Sequence, residues 1–327
     1  MTISKSSQQH EGKTALVTGA TSGIGFEAAA QLAEAGYSQV VVTGRTVARA
    51  KDAAAALLNR TNRDIFVGVG LDLGNPASIA NAAQTMAKIP FDALLLNAGM
   101  ISSGERQFTT DAIEMTFAAS LIGHHRLTMQ LLAAGNLRPE VHIVIAGSEA
   151  ARGDVPMMTL ADLDKVASTH YNNDLQAAAA GLIRGEQPQK FKPNDTYATT
   201  KLFVAWWAAA LARRLPDGMV VTAVSPGSTP DTQAARNGDF LTRRIMVPLL
   251  KALPARFNMA APVSESAQRY LEALKLPSTA SGDFYASVPK KMSGPTQHMD
   301  YPHINNRNHQ EASWAAVVDV AGIGTPA

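Results

Sequence analysis

A tyrosine and a lysine four residues apart, in Tyr197-Ala198-Thr199-Thr200-Lys201, are the groups in this chain best suited to moving a proton. On a helix, positions i and i+4 share one face. An ammonium beside a phenol favours the phenolate and so lowers its pKa toward working pH. Ser148 follows the apolar run Val141-His142-Ile143-Val144-Ile145-Ala146 and supplies a hydroxyl that can bind the same substrate oxygen.

A second constellation has the chemistry of a nucleotide seat. Thr18-Gly19-Ala20-Thr21-Ser22-Gly23-Ile24-Gly25 lies between the apolar run Thr14-Ala15-Leu16-Val17 and a stretch of helix formers beginning at Phe26. Glycine permits a tight turn and close backbone approach, and a helix start offers unpaired N–H groups and partial positive charge to a pyrophosphate. The next apolar run, Gln39–Thr43, ends in Gly44-Arg45. An acid at that strand end would accept both ribose hydroxyls and repel a 2′-phosphate. Arg45 stands nearby instead, with a planar fork of donors suited to phosphate, and Ser22 can add a hydroxyl. The expected cofactor is therefore NADP(H). Asp72 and Leu73 follow the third apolar run, where a carboxylate can meet the adenine amino group. Asn97-Ala98-Gly99 puts small residues where the adenine ribose would pass. Pro226-Gly227-Ser228-Thr229 offers a turn whose backbone can bind the nicotinamide carboxamide, and Lys201 can hold the nicotinamide ribose hydroxyls.

These residues need a scaffold that brings the ends of several strands together. Apolar runs at 14–17, 39–43, 65–69, 92–97, 141–146, 219–224 and 283–286 alternate with helical patterns at 47–59, 76–88, 111–134 and 195–215. Continuously apolar strands joined by helices imply a parallel sheet of about seven strands, covered on both faces, with ligands beyond the carboxyl ends of the strands. Residues 149–194 are too long for a plain connection and read as a lid, a small subdomain or a disordered insert. The tail from Pro289 is polar and loop-like until a short helix around Trp314, within 308–320.

Composition excludes several classes. At 327 residues with 46% hydrophobic and 17% charged residues, the chain suits a soluble α/β protein with an ample interior. A formal charge of +2 gives no electrostatic case for nucleic acid, and there is no cysteine for thiolate chemistry. The histidines lack metal-ligand spacing, so no metal is expected. The polar first ten residues lack a secretion signal's apolar core and no apolar run is long enough to span a membrane, so a cytoplasmic location is expected.

Taken together and in order, Thr18 to Gly25, Asn97-Ala98-Gly99, Ser148, Tyr197 with Lys201, and Pro226-Gly227 resemble the short-chain dehydrogenase/reductase family, over about residues 12–288. The resemblance implies one Rossmann-like, doubly wound α/β domain over 1–327, with the insert at 149–194 and an extension at 289–327. It implies an NADP-dependent oxidoreductase acting on a ketone or aldehyde, or on the matching alcohol. Tyr197 is then the catalytic acid/base, Lys201 lowers its pKa and grips the ribose, and Ser148 orients the substrate oxygen. The family's carboxamide-touching threonine corresponds to Thr229 or Thr232, since Pro230 disturbs the register. A homodimer or homotetramer, built through the helices at 111–134 and 195–215, is also implied.

One position departs from the family. Its Asn-x2-Gly-His pattern becomes Ser120-Leu121-Ile122-Gly123-His124 here, so a shorter serine replaces an asparagine that holds a helix irregularity and a water linked to the lysine. That substitution leaves two other readings open: a non-catalytic NADP-binding sensor, and reduction of a conjugated double bond on the same scaffold. The long insert, Ser281-Gly282-Asp283-Phe284-Tyr285 and Glu311-Ala312-Ser313-Trp314 are similar to the retinol dehydrogenase and protochlorophyllide reductase branch, which implies a medium or large apolar substrate. The insert and the segment from Pro230 to Pro262 are expected to close over it.

Overall fold

The computed structural model describes residues 12–102, 104–186, 191–229 and 261–326. Its centre is one sheet of eight strands in the order β3-β2-β1-β4-β5-β6-β7-β8. These are β1 (Thr14–Val17), β2 (Gln39–Gly44), β3 (Phe66–Gly70), β4 (Phe91–Leu96), β5 (Leu137–Ala146), β6 (Val220–Val224), β7 (Phe284–Ser287) and β8 (Thr296–His298). Strands β1 to β7 are mutually parallel. The sequence pattern implied about seven strands. The eighth, β8, adds antiparallel to β7 at the edge, through a stretch too short and polar to read as a strand.

The chain reverses direction across the sheet between β1 and β4, so the strand ends that carry Gly19, Asn97 and Ser148 open on one crevice. On one face, α1 (Gly23–Glu34) and α2 (Val47–Thr61) pack an apolar layer against β1 and β2. On the other lie α3 (Pro76–Thr85), α4 (Met115–Phe117), α5 (Gly123–Ala133) and α8 (Pro193–Ala212). A single helix was expected over 111–134. Instead α4 and α5 are joined by a π-helical segment, Ala118–Ile122.

The 149–194 insert is helical. It contains α6 (Leu163–His170) and α7 (Leu175–Arg184), started by Asp162 and Asp174, whose side chains accept Lys165 N–H and Ala177 N–H. After β6 the described chain resumes with α9 (Val263–Ala273), which packs on α1, and ends with α10 (Arg307–Ala321). Among the described residues no helix is long and apolar enough to cross a membrane.

Helix α10 packs on α7 and α8. The outward faces of α5 and α8 were expected to meet a second subunit. The chain's own extension covers them: Trp206 and Trp207 are buried, Trp207 Nε1 donates to His125 Nδ1 at 3.0 Å, and His125 Nε2 donates to Ile323 O at 2.8 Å. Helices α6 and α7 belong to the insert at 149–194 that was expected to close over a substrate. They dock on α10, with His309 Nε2 3.0 Å from Asp164 Oδ2 and Arg184 paired to Asp319. The segment from Pro230 to Ala260, the other expected cover, lies outside the described residues.

Candidate active site

The glycine loop is held open by its neighbours rather than by its own side chains. Gly19 and Gly23 have φ of +66° and +58°, which glycine adopts without strain. A Cβ on Gly25 would stand 2.5 Å from Asn97 Nδ2 and 2.6 Å from Gly19 O, so no side chain fits there. Asn97 Nδ2 donates to Thr18 O at 2.9 Å, and Gly19 N donates to Thr43 Oγ1 at 3.2 Å. Ser22 begins α1 without using its hydroxyl as a cap, leaving that hydroxyl and the first α1 N–H groups for a ligand. Thr21 and Ile24 line the same turn, half-buried.

At the end of β2, Arg45 is exposed, as is Arg49 one helical turn further on. Thr46 caps α2 between them by accepting Arg49 N–H. Two arginines at a helix start make a stronger anion site than one. The sequence reading singled out only Arg45. Asp72 is half-buried, and its Oδ1 accepts Gly74 N–H at 3.0 Å. Leu73 turns its side chain into the core beside Gly123, so only its backbone is available to a ligand. Ala98 and Gly99 follow Asn97 at the crevice, Gly99 exposed.

The residues expected to do chemistry come together. Tyr197 and Lys201 share one face of α8, with Lys201 Nζ 5.6 Å from the centre of the Tyr197 ring. Lys201 is buried and donates to Ala146 O, the last residue of β5, at 2.6 Å. Desolvation lowers its pKa to about 8. Ser148, two residues beyond Ala146, stands close enough to the Tyr197 phenol to favour its ionised form, and it starts the short 3₁₀ helix Glu149–Arg152. One expectation needs correcting here. Lys201 was expected to hold the phenol low. The protein groups alone raise it, burial foremost, with Ser148 opposing and the Glu149 charge adding to the rise.

Ser120 stands at the π-helical segment, so the helix irregularity persists with serine in place of the family's asparagine. Its Oγ is buried and has no protein partner among the described residues. A Cβ on Gly99 would lie 3.1 Å from that Oγ and 3.7 Å from Lys201 Nζ, which places serine and lysine around one small space.

His124, one helical turn after Ser120, is fully buried. Burial lowers its pKa to about 3, so it is neutral. It also does more than fill space. Nδ1 donates to Ser120 O at 3.3 Å, which leaves Nε2 to accept from Thr18 Oγ1 at 2.9 Å, and Thr18 Oγ1 accepts Ala98 N–H at 3.0 Å. One neutral imidazole thus ties the π segment to the glycine loop. The only signal available in sequence was its place four residues after Ser120.

After β6, Gly227 has φ of +83°, and its N–H donates to Ser225 Oγ at 3.1 Å. The Pro226–Gly227 turn is half-buried at the crevice. Thr229 Oγ1 shares a 2.7 Å hydrogen bond with Ser266 Oγ of α9. Thr232 lies outside the described residues.

A doubly wound sheet with a glycine turn at its switch point and a phenol–ammonium pair beside it defines a nucleotide-binding oxidoreductase scaffold. The chain belongs to the short chain dehydrogenase family, whose profile matches residues 13–179, about half of the chain. That match ends before α8, so Tyr197 and Lys201 are located by geometry. A short chain dehydrogenase/reductase of Colletotrichum higginsianum is 32% identical over 239 residues, covering 68% of this chain and 56% of that protein. Human polyprenol dehydrogenase is 30% identical over 225 residues, covering 66% of this chain and 60% of that one. The chain therefore aligns with less than two thirds of either relative. The crystal structure of L-sorbose reductase from Gluconobacter frateurii, complexed with NADPH and L-sorbose, superposes with a TM-score of 0.61 at 20% identity, over 86% of this chain and 97% of that one, which supports the fold.

Proposed function

We propose that this chain is an NADPH-dependent carbonyl reductase, or the alcohol dehydrogenase running in reverse, acting on a medium or large apolar substrate. The observation that carries the reading is the grouping of Ser148, Tyr197 and Lys201 at the carboxyl end of β5, beside the glycine turn. A dinucleotide fits the residues present. The crowding at Gly25 keeps the loop free of side chains, and α1 presents its first N–H groups there. Arg45 and Arg49, with no acid at the end of β2, suit a 2′-phosphate.

Bound NADPH would supply the hydride for the carbonyl carbon. Ser148 holds the carbonyl oxygen by its hydroxyl. Tyr197 gives its phenolic proton to that oxygen as negative charge develops, and a phenol held neutral by burial is the right form for a proton donor. Lys201, fixed by Ala146 O, keeps further N–H donors for ribose hydroxyls and balances the phenolate left behind. The naming of one relative for a polyprenol, a long apolar alcohol, supports the substrate class.

The test is NADPH consumption with a panel of apolar ketones and aldehydes, with the product identified by mass spectrometry and NMR. Alcohol formation is expected. Loss of a conjugated double bond with the carbonyl intact, or nucleotide binding without turnover across the panel, would overturn the reading.

A further inference from the structure

Directly behind the Ser148 hydroxyl lies a buried polar cluster that the chemistry above does not use. Glu149 and Arg269 form an ion pair at 3.3 Å, with side chains 2% and 6% exposed. Glu149 Oε1 accepts from Ser287 Oγ at 2.8 Å and Ser287 N–H at 3.3 Å, and Oε2 accepts from Ser225 Oγ. Arg269 closes the ring, donating to Ser225 O at 2.9 Å, Ser287 Oγ at 2.9 Å and Gly294 O at 2.6 Å. Arg152, at the far end of the same 3₁₀ helix, donates to Ser287 O at 2.6 Å and Lys291 O at 2.9 Å. One carboxylate thereby joins the ends of β5, β6 and β7 to α9.

Two of those ends carry site residues. Glu149 follows Ser148 in the chain. Ser225 precedes Pro226, and its Oγ accepts Gly227 N–H at 3.1 Å while donating to Glu149. Gly227 itself lies on the guanidinium, where a Cβ would stand 2.9 Å from Arg269 Nη1. Stability alone is a poor reason for such a pair. Desolvating two charges offsets their attraction, and a packed apolar pair often serves stability equally well.

We propose that Glu149 is a positioning residue, its buried carboxylate setting both the Ser148 hydroxyl against Tyr197 and the Pro226–Gly227 turn against the nicotinamide carboxamide. This deepens the reductase reading and rests on it. The test compares the wild-type chain, Glu149→Leu, Arg269→Met and the double variant by thermal melting, by NADPH Kd from fluorescence, and by turnover of phenanthrenequinone as probe. Either single variant leaves one charge buried alone, so both should melt early. The double variant should melt above either single variant, though below the wild type, because Ser225 O, Gly294 O and Ser287 N–H lose their partners. Its NADPH Kd should stay about tenfold weaker for the hydrogen bonds lost. Its kcat should stay about 10²-fold down, with the probe KM little changed, because the oxygen-binding groups are misplaced. Recovery of wild-type Kd and kcat in the double variant would overturn the proposal. Should the double variant not fold, Glu149→Asp decides: it keeps the charge but shortens the reach, so near-normal melting with kcat down about tenfold is expected, and wild-type kcat would refute it. If the wild type binds NADPH but reduces no carbonyl probe, the reductase reading fails while the Kd comparison still judges Glu149.

Discussion

Replacing Lys201 by methionine should stabilise the protein near neutral pH while removing its activity, and the structure sets the size of the effect. Lys201 is 4% exposed, and its one protein hydrogen bond among the described residues is to Ala146 O. Burial lowers its pKa from 10.5 to about 8. At 1.36 kcal/mol for each pKa unit, the ammonium is disfavoured in the folded chain by about 3 kcal/mol. A lysine whose folded pKa is depressed destabilises the fold fully below the folded value, about 8, and the penalty is relieved as pH rises to the unfolded value. Between those limits the unfolded chain binds more protons, so wild-type stability gains with pH relative to the variant. Urea unfolding of wild type and Lys201→Met, measured at intervals from pH 7 to 10.5, reads this directly. The gap between the two should change by about 3 kcal/mol across that window, in favour of the wild type at the alkaline end. Curves that run parallel would refute the argument, because they would mean the lysine pays no desolvation cost.

Other expectations follow from particular residues. Arg45→Asp should shift the Kd ratio from NADPH toward NADH by at least about tenfold, or about 1.4 kcal/mol, since an acid there repels a 2′-phosphate; an unchanged ratio would reject that role for Arg45. Ala112 has φ of +57° and an exposed side chain, so Ala112→Gly should stabilise the fold by about 1 kcal/mol, and a lower melting temperature would count against the strain. With α10 seated on α8, hydrogen exchange of α8 amides should be independent of protein concentration, whereas slowing at high concentration would indicate that a second subunit docks there.

The sheet was legible in the sequence because its parallel strands are continuously apolar, and a period of that kind survives without knowledge of partners. Strand β8 was not, since Thr296–His298 is three residues long and paired on one side only. The π segment was also hidden: Ala118–Ile122 has an ordinary helical pattern, and only the geometry shows the wider turn. Tyr197, Lys201 and Ser148 could be picked out because their residue types and order narrow the chemistry. Glu149 and Arg269 could not, because the pair joins positions 120 residues apart and each alone looks like any surface charge. The docking of α6 and α7 onto α10 was equally invisible, because amphipathic helices show that a face is buried without saying against what.

The Tyr197 hydroxyl is the group on which the proposed proton transfer depends. Tyr197→Phe deletes one oxygen and keeps the ring, so NADPH Kd should stay within about threefold while carbonyl turnover falls by about 10²–10⁴-fold, the usual contribution of a positioned acid. Turnover at the wild-type rate in that variant, with NADPH still bound, would contradict the central claim.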